Sequence, residues 1–409
     1  MNALDECETA TRRILFVDHT ASLGGAQLAL LRLVRTLDHR RFDIRVILFS
    51  DGPLTDKLRE AGATVEILPL SESITATSRH AASKSLLRVG TMLTILRHVV
   101  RLSRIMRIRK ADLVHTNSLK SDLIGGFAAL LARKTLIWHI HDRISGDYMP
   151  RMTAGALWLL ALLLPGRLIL NSESSLKALK PYPVTKCDVI FPGVDLDEFP
   201  AIKSDRKSFE PVVGIVGRLS PTKGQDIFLR SALLVHRRHP NVRFQIVGSA
   251  MFNDAEYEGE MRRLADSLGI SAFVAFVGFV DDIGRYLPRL SILVHASTTP
   301  EPFGQVIVEA MASGVAVVAV GTGGVPEIVV EGVTGLLVPP ADSSSLAEAI
   351  CEMLENPRKS LEMATQARKR VEDLFVIQRT ARMVENVYDN LLGPRRFKNT
   401  PVKTIAEAT

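Results

Sequence analysis

Residues 297–314 read STTPEPFGQVIVEAMASG, and this stretch decides the fold. It carries two glutamates, Glu301 and Glu309, eight positions apart. Glu301 lies in a Pro- and Gly-rich turn. Beyond the turn Val306, Ala310 and Gly314 recur at helical spacing, which places Glu309 inside a helix. The apolar run at 291–296 just upstream reads as a buried strand. Strand, glycine turn and helix in succession present free backbone amides to a ligand. An acid on the turn and an acid two turns into the helix can then contact different parts of one molecule.

The same unit recurs along the chain. Residues 12–19, RRILFVDH, form a strand that runs into Gly24-Gly25 and an apolar helix ending near residue 37. That glycine pair suits a phosphate, although such turns also serve simply as tight turns. Further strands are expected at 44–49, 64–68, 112–115, 135–141, 168–171 and 188–191, with a helix at 54–61. Residues 200–211 shift to Lys, Ser, Asp and Arg between two prolines and read as a linker. A second series follows at 212–216, 243–247, 273–277, 292–294, 316–320 and 335–338. Strands alternating with helices on both sides of a linker predict an α/β chain of two doubly wound, Rossmann-like parallel-sheet domains facing across a cleft. The ligand site then lies at the carboxyl ends of the strands. The expected division is 1–200 and 201–375, with a helix at 376–392 packing back on the first domain and a disordered tail at 393–409.

Composition narrows the setting. Three cysteines, Cys7, Cys187 and Cys351, form no CxxC pair and suggest a reducing, cytoplasmic compartment. The first thirteen residues lack the apolar core of a signal peptide. No run of eighteen apolar residues is present, so no spanning helix is expected. The net charge of +7 is concentrated: residues 84–110 hold eight Lys/Arg and no Asp or Glu. A helical wheel there gathers Met92, Ile95, Leu96, Val99, Leu102 and Met106 on one face, with Arg97, Arg101 and Arg104 opposite. Two readings stay open, a solvated surface helix or a helix lying on an anionic membrane. The apolar segment 154–164, with Trp158, is too short to span and reads as a buried helix or one dipping into an interface. Nothing points to nucleic acid.

Three elements of the second half converge on the cleft. Gly217-Arg218-Leu219-Ser220-Pro221-Thr222-Lys223-Gly224 sets two cations after a strand, a guanidinium suited to bidentate phosphate bonds and an ammonium point charge. The helix opening near Gly304 aims amides at the same anion. Gly321-Thr322-Gly323-Gly324 is another glycine turn after a strand. A diphosphate ester with a polyhydroxyl group at each end would use all three, Glu309 accepting from a ribose diol and Glu301 from sugar hydroxyls. Three histidines, His115, His139 and His141, end strands, and position alone leaves the site residue open among them. Asp195-Leu196-Asp197 has a metal-type spacing but reads better as a structural turn. Asp281-Asp282 is expected near the nucleotide base.

With these residues in place, the sequence resembles the retaining glycosyltransferases of family 4, of the GT-B fold. The matching runs are Arg218, Pro221, Lys223 and Gly224; Glu301 to Glu309 with its Glu-Ala-Met-Ala continuation; Gly323-Gly324-Val325-Pro326-Glu327; Gly332-Val333-Thr334-Gly335; and, in the first half, Gly24-Gly25 and His141-Asp142. The likeness extends over residues 12–392. The family's Pro-Asn-Gly turn reads Phe191-Pro192-Gly193 here, a departure in the turn's detail. The resemblance implies a nucleoside-diphosphate-sugar donor, a UDP-sugar ahead of a GDP-sugar, with no resident cofactor and no required metal. By it Arg218 and Lys223 neutralise the diphosphate and Glu301 holds the donor sugar. Phe303, Gly304, Gln305, Val306 and Glu309 line the donor, Gly24 and Gly25 close over the diphosphate, and His141 meets the sugar near its anomeric carbon. The first domain would take a lipid-linked or envelope glycan acceptor at the cytoplasmic membrane face. A nucleotide-sugar epimerase of the same fold and a silent membrane scaffold are the alternatives. Base choice would rest on the loops at 248–256 and around Asp281.

Overall fold

The computed structural model describes residues 11–71, 74, 89–179, 181, 184–201, 210–250 and 255–393. All but the first residue of the expected tail at 393–409, most of the expected linker and the start of the basic segment lie outside them. In chain order the first half comprises β1 (Arg12–Asp18), α1 (Gly25–Thr36), β2 (Phe42–Leu48), α2 (Pro53–Glu60), β3 (Thr64–Ile67), α3 (Val89–Ile108), β4 (Leu113–Thr116), α4 (Leu119–Ala132), β5 (Thr135–Ile140), α5 (Arg151–Leu163), β6 (Arg167–Leu170), α6 (Glu173–Ala178) and β7 (Cys187–Val189). The second half comprises β8 (Val212–Val216), α7 (Gln225–Arg238), β9 (Arg243–Val247), α8 (Ala255–Ser267), β10 (Val274–Gly278), α9 (Ile283–Tyr286), β11 (Ile292–His295), α10 (Gln305–Ala312), β12 (Ala316–Val320), α11 (Val325–Ile328), β13 (Leu336–Val338), α12 (Ser343–Glu355), α13 (Pro357–Leu374) and α14 (Ile377–Leu392).

Two all-parallel sheets result, ordered β3-β2-β1-β4-β5-β6-β7 and β10-β9-β8-β11-β12-β13. The cause is visible in β12, Ala-Val-Val-Ala-Val, whose five residues are all buried. An apolar strand without alternation needs cover on both faces, which helical crossovers supply. Each sheet reverses direction once, between β1 and β4 and between β8 and β11. The carboxyl ends at these two switch points form the crevices in which doubly wound sheets bind ligands.

On one face of the first sheet α3, α4 and α5 share a core around Val17, Val114, Trp138 and Leu168. On the other face α1 and α2 are joined by α14, the last helix among the described residues. The crossing between halves falls earlier than the Lys- and Ser-rich stretch suggests. Ile190 still packs in the first core, whereas Val194 and Phe199 already pack in the second. The return crossing is tied to the outward one, because Val194 N–H donates to Phe375 O (2.8 Å) and Ile377 N–H to Val194 O (2.9 Å).

Two expectations about the helical layer need correction. In α3 the residues that reach the core are Val99, Leu102 and Met106, with His98 edge-on to Phe49 at 4.6 Å between ring centres. Met92 and Leu96 are both 59% exposed. Leu96 sits about 100° around the helix from Ile95, which packs on the core, and Met92 lies a turn before it. In α5 only Ala154, Leu157 and Ala161 are buried; Met152, Leu159 and Leu163 point outward.

A buried polar string ties α14 to the first sheet. His115 Nδ1 meets Tyr388 Oη at 2.7 Å, and His115 Nε2 meets His139 Nδ1 at 3.1 Å. Burial pushes His115 down to about 3 and holds His139 well below its usual value, with His141 adding repulsion in both cases. Tyr388→Phe leaves His115 short of a partner and is expected to cost about 1–3 kcal/mol, read as a lowered thermal midpoint. Stability should also fall as the medium is acidified. His98 is pushed down to about 4 by burial and by Arg101, whereas in the unfolded chain it titrates near its ordinary value of 6.5. Between those values the unfolded state binds the extra proton, so stability is fully present above about 6.5 and declines below it. His98→Phe should remove about one proton from that slope, measured as thermal midpoint against pH.

Candidate functional site

At the first switch point Asp18 closes β1 as a buried carboxylate. It accepts from Asn117 Nδ2 (2.8 Å), Gln27 Nε2 (3.1 Å) and Ser118 Oγ (3.1 Å), with His19 Nδ1 at 3.2 Å. Burial pushes its carboxyl up, but His19, Asn117 and Gln27 outweigh that and hold it below the usual range. The other amide hydrogen of Asn117 goes to Ala26 O (3.1 Å), so Asn117 Oδ1 faces His141 Nε2 at 3.0 Å. An amide oxygen only accepts. His141 therefore carries its proton on Nε2 and keeps a lone pair on Nδ1. Burial pushes His141 down to about 4, which leaves the ring neutral at physiological pH. His115 and His139 belong to the core string; of the three candidates His141 is the one not fully buried.

At the second switch point Lys223 Nζ donates to both oxygens of Glu301, at 3.0 and 2.8 Å. Ser297 Oγ donates to Glu301 Oε2 at 2.8 Å, and His295 Nε2 lies 3.4 Å from it. Burial raises the Glu301 carboxyl, yet Lys223 and His295 bring it well below the usual carboxylate range. Gly224 makes this pairing reachable. Its φ is +72°, and a Cβ there would collide with the carbonyl oxygen of Ala296. The loop carrying Arg218 and Lys223 is thus pressed on the loop after β11. Gly323 lies as closely on the Glu301 backbone. Arg218 is half-buried and has no side-chain partner among the described residues.

Gly304 opens α10 with φ +120° and no side-chain cap, leaving the first amides free. The other expected donor-lining residues divide. Phe303 is buried and stacks on Phe191 at 5.8 Å, and Val306 packs on the same core, so their backbones rather than their side chains border the cleft. Gln305 and Glu309 bridge the halves. Glu309 Oε1 accepts from Arg32 Nη1 of α1 at 2.9 Å, while Arg32 Nε donates to Glu198 Oε2 at 2.9 Å. The Gln305 amide is satisfied with its oxygen toward Arg32 Nη1 (2.5 Å) and its nitrogen toward the carbonyl of Gly25 (2.7 Å). Gly25, Gln305 and Glu309 thus meet in one cluster around a residue absent from the sequence reading.

Further contacts hold the cleft together. Ser172 Oγ donates to Pro302 O (2.6 Å), and Glu327 accepts from the amides of Glu173 (2.8 Å) and Ser174 (2.7 Å) at the start of α6. Asp195 caps a short turn by accepting from the Asp197 amide (3.1 Å), and Asp282 caps α9. Asp281 lies 3.9 Å from Lys57 across the cleft. Sequence reasoning missed Asp18, Asn117, Arg32 and Glu198. The nearest available signal was their position, since Asp18 and Asn117 sit at strand ends flanking a switch point.

Comparison with known proteins agrees with this architecture. The family model for Glycosyltransferase Family 4 matches residues 23–198, and that for glycosyl transferases group 1 matches residues 199–370. Among curated relatives, the putative glycosyltransferase YtcC of Bacillus subtilis is 31% identical over 232 residues, 52% of this chain and 56% of its own. The D-inositol 3-phosphate glycosyltransferase of Mycolicibacterium smegmatis is 36% identical over 212 residues, 49% of this chain and 48% of its own. The chain spans about half the length of these relatives. The crystal structure of Anabaena HepE in complex with UDP-glucose superposes with a TM-score of 0.80 at 28% identity, covering 93% of this chain and all of that one. Two family models meeting end to end across both sheets, and a solved GT-B neighbour over nearly the full length, lead to one conclusion: the chain belongs to the family 4, group 1 glycosyltransferases of the GT-B fold.

Proposed function

We propose that the chain is a retaining hexosyltransferase that moves a sugar from a UDP-sugar to a lipid-linked or envelope glycan acceptor at the inner face of the cytoplasmic membrane. The observation that carries the donor half is Arg218, a half-buried guanidinium at a switch point with no anionic side chain paired to it among the described residues. A buried cation without a counter-charge calls for an anionic ligand. Lys223 beside it and the uncapped amides of α10 complete a site for a diphosphate. In this reading Lys223 is shared between Glu301 and the leaving diphosphate, and Glu301 accepts from donor-sugar hydroxyls. Glu309 accepts from the ribose, Gly24 and Gly25 close over the phosphates, and neutral His141 lies by the anomeric carbon. The solved relative bound to UDP-glucose supports the class of donor. The retaining outcome rests on kinship with the family. Metal independence rests on kinship too, and on the fixed cations and amides standing where a divalent ion would otherwise stabilise the leaving group.

The acceptor half rests on the outer surface of α3, α4 and α5. Exposed apolar side chains on this layer include Met92, Leu93, Leu96, Phe127, Leu130 and Met152. Arg97, Arg101, Arg104 and Arg107 stand among them on α3, also exposed. Apolar and cationic groups mixed on one helical face match the acyl boundary and phosphates of an anionic bilayer. No helix among the described residues is long and apolar enough to cross one.

Lys223→Ala should lower turnover by roughly a hundredfold or more, the loss that follows removal of one transition-state donor. Near wild-type turnover would remove Lys223 from that role, and activity that a chelator abolishes and a divalent ion restores would overturn metal independence. Donor incubated with protein but no acceptor separates transferase from epimerase, and absence of turnover with any donor leaves the scaffold. Co-sedimentation with vesicles containing anionic lipid at low salt should fall when Arg97, Arg101 and Arg104 are replaced by Gln. Equal sedimentation of both forms would remove the membrane from the proposal.

A further inference from the structure

We propose that Arg32 is a positioning residue for the nucleoside subsite: it fixes the Glu309 carboxylate across the cleft, so the ribose site of the second domain is completed by the first. The inference deepens the donor reading above and rests on Glu309 as the ribose acceptor.

Arg32 lies on α1, eight residues beyond Gly24, and is 4% exposed. Every polar atom it offers to an acid points out of its own domain's core. Nη1 reaches Glu309 Oε1 at 2.9 Å on α10, and Nε reaches Glu198 Oε2 at 2.9 Å on the crossing segment. The guanidinium also lies 5.2 Å from the ring centre of Phe199. Glu198 is held from its other side by Arg35 Nη1 at 2.8 Å, so the fork has a fixed backstop. An arginine held by two acids and an aromatic face has little rotational freedom, and a planar fork transmits that rigidity to its partner.

Glu309 needs such a partner. It is 5% exposed on a helix whose other inward residues are apolar, and burial holds its carboxyl above the usual range, with Arg32 offsetting part of that rise. The one hydrogen bond to its carboxylate among the described residues is the one from Arg32, and it uses one oxygen. A carboxylate can accept about four hydrogen bonds. Oε2 thus retains capacity for a diol, and Arg32 supplies the charge that makes it a strong acceptor. The Gln305 amide, lodged between Arg32 and the Gly25 carbonyl, ties this arrangement to the start of α1, where the diphosphate is proposed to lie.

The test compares binding of a ribonucleoside diphosphate with that of its 2′-deoxy analogue by calorimetry, using UDP and GDP with their deoxy forms on the full chain. Wild type should bind one ribonucleotide at least about tenfold more tightly than its deoxy form, the usual worth of a hydrogen bond to a charged group. Arg32→Gln should remove most of that difference while changing deoxynucleotide affinity by less than about threefold. Glu309→Gln should do the same, and the double variant should lose nothing more, because the two residues act as one unit. Arg32→Lys, which keeps the charge and loses the fork, should restore part of the discrimination and guards against misfolding of the glutamine variant. Equal weakening of ribo- and deoxynucleotide by Arg32→Gln would make Arg32 a staple between domains and overturn the proposal. Wild type that binds a ribonucleotide without preferring it overturns the assignment of Glu309. Wild type that binds neither nucleotide overturns the donor reading itself.

Discussion

A carboxylate withdrawn from water must be met by a cation or by several donors. Three carboxylates in the cleft meet that requirement in three ways, and most of the site follows from the differences. Asp18 is held by His19 together with several neutral donors, one of which, Asn117, passes the constraint on as a fixed proton position in His141. Glu301 is held by Lys223, which anchors the loop after β8 against the loop after β11. Glu309 is held from the other domain by Arg32. The first solution orients a ring, the second orders a loop, and the third joins two bodies that each fold around a separate sheet.

Much of the scaffold could be read directly from the sequence, because a parallel sheet covered on both faces leaves unbroken apolar runs. The five residues of β12 need no tertiary information to suggest a strand, whereas the pairing of β8 with both β9 and β11 is seen only in the structure. The candidate site residues were named from local motifs: Arg218, Lys223, Glu301 and Glu309 each sit at a short distance from a glycine that shapes a turn. Arg32 was not. It lies on an apolar helix like many surface arginines, and the acid that gives it meaning is 277 positions away. Asn117 is similar, since its value lies in three partners on three other segments. The exposure of Met92 and Leu96 shows the opposite failure. A helical wheel sees apolarity but not the extent of the sheet beneath, and it had no reason to seat His98 against Phe49.

The two faces of the first sheet have different fates. One is closed by α1, α2 and α14, with Tyr388 sunk to the level of the strands. The other is closed by α3, α4 and α5, whose outer surface keeps a mixture of apolar and arginine side chains. The residues proposed to hold the donor lie at the strand ends rather than on either face.

The return of α14 to the first sheet has a consequence for synthesis. Ile14, Phe42, Ile44 and His115 are made early, yet part of their cover, including Ala381, Val384 and Tyr388, is made last. While the ribosome builds the second sheet, the first domain waits with one apolar flank open to the cell. Its completion is deferred until the helix ending at Leu392 clears the exit tunnel, so a message cut short within the second sheet leaves both domains incomplete rather than one.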